Sequence, residues 1–222
     1  MLSTVLRVTI GTVVFAVVHS ILASDWFKIK TGQVIGERAR NGLFRSLYSG
    51  FTGVWLAAMF WYFAKLPNKV LYEVSAPWSK IMRVGQVVGV LMVLDAMLRV
   101  GFGRFTGMQQ ALDFATGKEP EPEPPAQGPR LDPDNPRGTG GVFSISRHPI
   151  NLAPTLIVWL QPRMTVSWLT FAVVGTLYSI LGSLHEELRV GRAYPETYPE
   201  YQRTAPFFAP IPLLRGKQTE HD

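Results

Sequence analysis

VSWLTFAVVGTLYSILGSL, residues 166–184, contains no charged side chain. A helix needs about 20 apolar residues to cross roughly 30 Å of hydrocarbon, so this stretch reads as a transmembrane helix. Three further blocks read the same way. Residues 5–23 carry only Arg7, residues 43–64 only Arg45, and residues 81–102 carry Arg83, Asp95 and Arg99. NLAPTLIVWLQP, 151–162, reads as a fifth, short helix that needs its polar end buried among its neighbours. The chain has 222 residues, 47% apolar and 17% charged, where a soluble domain carries about 25% charged residues. The fold class expected is an all-α, polytopic integral membrane protein with about five transmembrane helices. For the first block a cleaved signal peptide is the alternative, but VVHSILAS, 17–24, offers only a loose small-residue cleavage pattern.

Cysteine is absent, which excludes disulfides, thiolate nucleophiles and iron–sulfur ligation. The pI near 9.7 is read as basic loops that fix topology rather than as a nucleic-acid surface. If the polar stretches 25–43 and 103–148 share a side with the C-terminus, that side holds 16 of the 22 basic residues, counting Arg45 and Arg99 at its margins. The other side holds Arg7, Lys65, Lys69, Lys80, Arg83 and Arg163. The positive-inside rule makes the first side cytoplasmic and leaves the N-terminus outside.

The chain reads as a single membrane domain over 1–222. It has an N-terminal three-helix part (1–112), a Pro-rich cytoplasmic loop (113–141) and a C-terminal hairpin and tail (142–212). KEPEPEPPAQGPRLDPDNP, 118–136, is too dense in Pro for regular structure and reads as an extended, solvated connector. RGTGGVF, 137–143, reads as a hinge leading into Ser146-Arg147-His148-Pro149.

Polar groups at membrane depth are costly and tend to be paired or functional. His19, Arg45 and Asp95 are therefore candidates for the substrate side. Asp95 with Arg99 also fits a plain i,i+4 ion pair. His19 also fits an interfacial residue, a holder of a polar substrate or a haem ligand. Pro149 suits the first turn of a helix and places Arg147 and His148 at its positive end, where anions dock. Glu186 and Glu187 read as two acids at the C-terminus of the last helix, against its dipole. Such broken local rules tend to mark function. Tyr194, Tyr198 and Tyr201 follow in a Pro-punctuated tail.

SRHPINLAPTLIVW (146–159), then an apolar helix, then HEELRVGRAYPETYPEYQRTAPFFAPIP (185–212) resembles the membrane methyltransferases related to isoprenylcysteine carboxyl methyltransferase and phospholipid N-methyltransferases. The residues that carry the likeness are Arg147, His148, Pro149, Trp159, Glu186, Glu187, Tyr198, Tyr201 and Pro206. FAVVHSILAS (15–24), ERARNGLFRSLYS (37–49) and FGRFTGMQQAL (102–112) are similar to the methanethiol S-methyltransferase and NnrU-type branch, through His19, Ser20, Gly107 and Gln110. Asn151 stands where the superfamily often has Tyr.

The resemblance implies S-adenosylmethionine bound in a cytoplasmic pocket at the C-terminal end. It implies Arg147 and His148 near the donor's carboxylate, Glu186 or Glu187 on its ribose or amino group, and Tyr198 or Tyr201 along its adenine. Pro149, Asn151 and Trp159 complete the expected cofactor-binding set; the catalytic residue is left open and no metal is expected. Partners expected are membrane lipids and a small thiol or lipophilic acceptor, without nucleic acid. A haem-binding isomerase or redox protein, a sterol-reductase-like enzyme and a non-enzymatic membrane protein are the alternatives.

Overall fold

The computed structural model describes residues 1–124, 128, 131 and 140–208. Most of 125–139, including much of the expected Pro-rich connector and the start of the expected hinge, lies outside the described residues, as does 209–222. The chain begins with α1 (Leu2–Ala23), α2 (Asp25–Ile35) and α3 (Glu37–Ala64), followed by strand β1 (Val70–Glu73) and α4 (Trp78–Val100). Three short helices follow, α5 (Phe102–Thr106), α6 (Met108–Ala115) and α7 (Val142–Ile145). The C-terminal part holds α8 (Pro149–Trp159), strand β2 (Arg163–Thr165), α9 (Val166–Ala193) and α10 (Tyr198–Thr204).

Three of these helices, α1, α4 and α9, are long and apolar enough to cross a membrane. Their outer faces leave large apolar side chains uncovered, among them Val87, Leu91, Leu177 and Leu181. In water that surface would be unstable; in lipid it is solvated. The chain is an integral membrane protein. Among the described residues three helices meet that standard, not the four full spans read from the sequence. α3 is as long as α9, but Tyr48, Ser49, Thr52, Trp61 and Tyr62 interrupt its apolar run. α8, with 11 residues, is about 16 Å long, half a bilayer core.

The chain is not purely α-helical. β1 and β2 pair antiparallel, Val70 opposite Thr165 and Glu73 opposite Arg163, with an irregularity between Val70 and Tyr72. Segments this short carry too few alternations to announce themselves. The pairing ties the end of α3 to the start of α9. At the same end the Thr4 hydroxyl donates to the Pro67 carbonyl at 2.8 Å, and the Asn68 amide donates to the Thr165 hydroxyl at 3.1 Å. Thr165 also caps α9 by accepting from the Trp168 N–H. The start of α1, the end of α3 and the start of α9 therefore share one end of the bundle. The polar helices α2, α5, α6 and α10, with the short α7, gather at the other.

Packing explains the position of α8. Gly89 of α4 leaves room that a Cβ would fill, 2.7 Å from Ile157 Cγ1 and 3.2 Å from the Ala153 carbonyl. This small-residue approach seats α8 against α4 in a core of Met92, Ala96, Val142, Phe143, Leu152 and Ala153. A second core joins α1, α3 and α9 through Val8, Phe15, Met59 and Phe63, with Phe171 against them.

Two expectations change. The stretch 118–124, read as a solvated connector, keeps Lys118, Glu119, Glu121 and Pro122 exposed but is also tied to the bundle by three ion pairs. Glu119 meets Arg38, Glu121 meets Arg104, and Glu123 meets Lys28 at 2.5 Å. It has no helix or strand, as its Pro content leads one to expect, and the cations of α2, α3 and α5 hold it. The region 142–143, read as hinge, is already helical in α7.

α6 leans on α3 through Gly107, at φ +85°, where a Cβ would fall 2.4 Å from the Ser46 nitrogen; the Ser46 hydroxyl donates to the Gly107 carbonyl at 2.7 Å. Replacing Gly107 by Ala adds a backbone cost of roughly 1–2 kcal/mol plus the clash. Thermal unfolding in detergent should show a clearly lowered midpoint for Gly107→Ala, while Gly50→Ala, where a Cβ meets nothing within 4 Å, should be neutral or stabilising.

Candidate functional site

α9 runs on to Ala193, nine residues past the apolar run. Glu186 and Glu187 therefore stand well inside the helix, and the last turn carries Arg192. The conflict with the helix dipole inferred from the sequence is absent. HEELRVGRA consists mainly of good helix formers, and the apolar block alone did not reveal the continuation.

What these acids do instead is bind the loop before α8. Arg147 grips Glu187 with two parallel bonds, Nε to Oε1 at 2.9 Å and Nη2 to Oε2 at 3.0 Å. His148 Nε2 lies 2.7 Å from Glu187 Oε1, and its Nδ1 lies 3.3 Å from Glu186 Oε2. The Tyr198 hydroxyl donates to Glu187 Oε1 and the Gln202 amide to Oε2. Arg147 also donates through Nη1 to the carbonyls of Gln202 and Ala205. Charge-assisted, bidentate bonds of this kind are the strong ones. The His148 side chain is 3% exposed and that of Glu187 13%, whereas Glu186 keeps 29%.

Burial opposes charge on His148, but the hydrogen bonds and charges of Glu186 and Glu187 outweigh it and raise its pKa above the ordinary value. Burial first, then the bond to Glu187, pushes the Tyr198 hydroxyl well up, so it stays a donor.

The other expected cofactor-binding residues fall around this network to different degrees. Pro149 is the first helical residue of α8 and is fully buried. The Tyr201 hydroxyl donates to the Phe143 carbonyl at 2.9 Å, and its ring packs against that of Tyr198 in the tail cluster, which also holds Val190. Asn151 is occupied with the buried Ser183 hydroxyl at 2.9 Å. Trp159 is not brought there: it sits at the far end of α8, roughly 16 Å from His148 along the axis, and its indole N–H donates to Thr176 of α9 at 2.8 Å.

His19 and Arg45 belong to a second polar cluster. The Tyr48 hydroxyl is 2.7 Å from His19 Nε2, and the Thr52 hydroxyl is 3.4 Å from its Nδ1. Ser20 beside it bonds the Tyr178 hydroxyl of α9 at 3.0 Å. Arg45, only 6% exposed, donates to the Phe105 carbonyl at 2.8 Å and lies over the ring of Tyr48. Asp95 is in neither cluster. It pairs with Arg99 at 2.7 Å, and accepts from the Val142 N–H at 3.0 Å, which caps α7.

The chain is 28% identical over 88% of its length to "Methanethiol S-methyltransferase 1" of Bradyrhizobium diazoefficiens and spans 63% of that protein. It is 27% identical over 94% of its length to "Methanethiol S-methyltransferase" of Pseudomonas deceptionensis, of which it spans 72%. The chain is similar to the methanethiol S-methyltransferases over most of its length. It also matches "Nurim" of Rattus norvegicus, 28% identical over 77% of this chain and 61% of that protein. No family model and no solved structure matches the chain. These relatives agree with the superfamily and branch that the sequence resembles, and those named as methyltransferases agree with the expectation of an enzyme.

Reading the sequence missed Tyr48, Thr52 and Tyr178 around His19, and Gln202 on Glu187. The first two had a signal: Asn41, Arg45, Tyr48 and Thr52 recur at four, three and four residues, one stripe of a helix. Gln202 had none.

Removing one partner of a buried ion pair costs about 3–5 kcal/mol. Glu187→Ala should lower thermal stability by that order and Glu186→Ala by clearly less, as unfolding in detergent will show. For His148, whose pKa is raised on folding, the stabilisation is complete below about pH 6.5 and is lost as pH rises through the raised value. The gap in unfolding midpoint between the protein and His148→Gln should narrow with rising pH over that window.

Proposed function

We propose that the chain is an S-adenosylmethionine-dependent methyltransferase acting at the membrane on a small thiol or another lipophilic acceptor. One observation carries this reading. The two stretches that bear the family likeness, 146–159 and 185–206, meet in a single buried polar network, in a chain whose relatives are named methanethiol S-methyltransferases.

The residues present suit such a donor unequally. Arg147 has its bonds engaged by Glu187 and two carbonyls, so it holds the tail on α9 rather than offering itself to a carboxylate. Glu187 accepts from Arg147, His148, Tyr198 and Gln202 and acts as the hub that fixes the wall. Glu186 is bonded by His148 alone among the described residues and is the more exposed acid. It is the side chain that suits a ribose hydroxyl or an ammonium group. Tyr198 and Tyr201 shape the adjoining wall, and Pro149 sets the start of α8.

Bound there, S-adenosylmethionine would supply an electrophilic methyl group. The protein's share is to align the acceptor and keep the site dry, which methyl transfer to a soft nucleophile chiefly needs. On the acceptor side we place His19 and Arg45, with Tyr48, Thr52 and Tyr178 around them; Asp95 serves α7 instead. α3 is read as a fourth crossing and α8 as a half-length fifth. The end that holds α2, the 118–124 strap and the tail faces the cytoplasm by the positive-inside rule, in the inner membrane if the cell is bacterial.

Calorimetric titration of S-adenosylmethionine into detergent-purified protein, with methanethiol as the first acceptor assayed, tests this. Glu186→Ala should weaken donor binding about tenfold or more, ~1.4 kcal/mol, with the fold intact. A folded protein that binds no S-adenosylmethionine sinks the reading.

A further inference from the structure

Gly182 stands inside α9, where glycine is disfavoured relative to alanine, and neither its backbone nor its packing calls for it. Its φ lies outside the left-handed region. The residue is exposed, and a Cβ built on it meets nothing within 4 Å. Gly89, by contrast, is what lets α8 approach α4.

Gly182 does not belong to the lipid-facing side of its helix. That side is the stripe Val173, Leu177, Leu181 and Leu184, all exposed and spaced by four and three residues. Gly182 lies on another stripe, Tyr178–Gly182–Glu186 at intervals of four, roughly 140° around the helix from the first. Gly50 and Gly53 of α3 are equally open, but their exposed neighbours Leu47, Phe51 and Val54 mark that face as lipid-facing.

Each neighbour of Gly182 on its stripe belongs to one of the two polar clusters. Tyr178, one turn before it, bonds Ser20 and sets its ring edge-on to that of His19, centroids 6.3 Å apart. Glu186, one turn after it, is bonded by His148 alone among the described residues and keeps 29% of its side chain exposed. α1 packs on one flank of this stripe, through Ser20, and α8 on the other, through Asn151 and Ser183. The bare backbone of Gly182 is thus the floor of an open crevice between the acceptor-side cluster and the acid suited to the donor. The protein would not feel a methyl group added at this position; a molecule lying across it would.

We propose that Gly182 is a specificity-determining residue for the methyl acceptor: a small thiol lies against its bare backbone, between Tyr178 and Glu186, and the missing side chain sets the room it has. This rests on the methyl-transfer reading.

The chain has no cysteine, so Gly182→Cys carries a single thiol that reports on the crevice directly. In membrane fragments open to both sides, a charged maleimide should label Gly182→Cys and spare Leu181→Cys, whose thiol faces lipid. Equal labelling of the two, or labelling of Leu181→Cys alone, overturns the proposal. Turnover of methanethiol and propanethiol with S-adenosylmethionine is then measured beside calorimetric donor binding. Gly182→Ala should unfold in detergent at the same or a higher temperature and bind S-adenosylmethionine as before. Its kcat/KM should fall about tenfold or more for propanethiol and clearly less for methanethiol, and Gly182→Leu should lose both. If the unmodified chain accepts methanethiol alone, the loss is read on methanethiol. Unchanged turnover in the folded variants, or an equal loss for both thiols in Gly182→Ala, overturns the proposal. Donor binding without turnover of either thiol by the unmodified chain overturns this inference and leaves the donor's place standing. Absence of donor binding removes the methyl-transfer reading and this inference together.

Discussion

The carboxylate of Glu187 is the point on which the polar end of the molecule depends. Arg147, His148, Tyr198 and Gln202 all converge on its two oxygens, and these residues come from the loop before α8 and from the tail. A buried charge without partners is prohibitively costly, and the same charge fully paired fixes geometry sharply. The tail is held on α9 by these polar bonds and by the small Tyr198–Tyr201–Ala205 core beside them.

A second constraint lies within the apolar layer. α8 crosses only about half of a bilayer core, so its backbone ends would be exposed to lipid unless protein covered them. Gly89 lets it lie close on α4, α9 flanks it through Trp159–Thr176 and Asn151–Ser183, and its two ends give onto the ionic network and the β1–β2 pair. Short helices at membrane depth are tolerated where neighbouring protein shields them.

Local order was readable from the sequence, and long-range order was not. The charge-free block at 166–184 located α9, and Pro149 located the start of α8, because both signals are written within a few residues. The continuation of α9 to Ala193 was hidden by its polarity, since helix formation there owes nothing to apolar patterning. SRHP and Glu186–Glu187 could be marked as belonging to one site through family likeness. That Arg147 and Glu187, 40 residues apart, hold each other directly is a fact of folding that spacing does not carry. The strap shows the same limit from the other side: its Pro content predicted an extended chain, but the cations that hold it lie on α2, α3 and α5.

α9 carries members of both polar clusters, Tyr178 beside Ser20 and Glu187 under Arg147. They are nine helical steps apart on unbroken helix, about 14 Å along the axis. The helix thus acts as a ruler, fixing the reach required of anything that touches both clusters at once. It also fixes their bearing, because each residue of α-helix turns about 100°. One residue inserted between 178 and 187 would swing the acid hub away from the loop it holds, even with every side chain of both clusters still present.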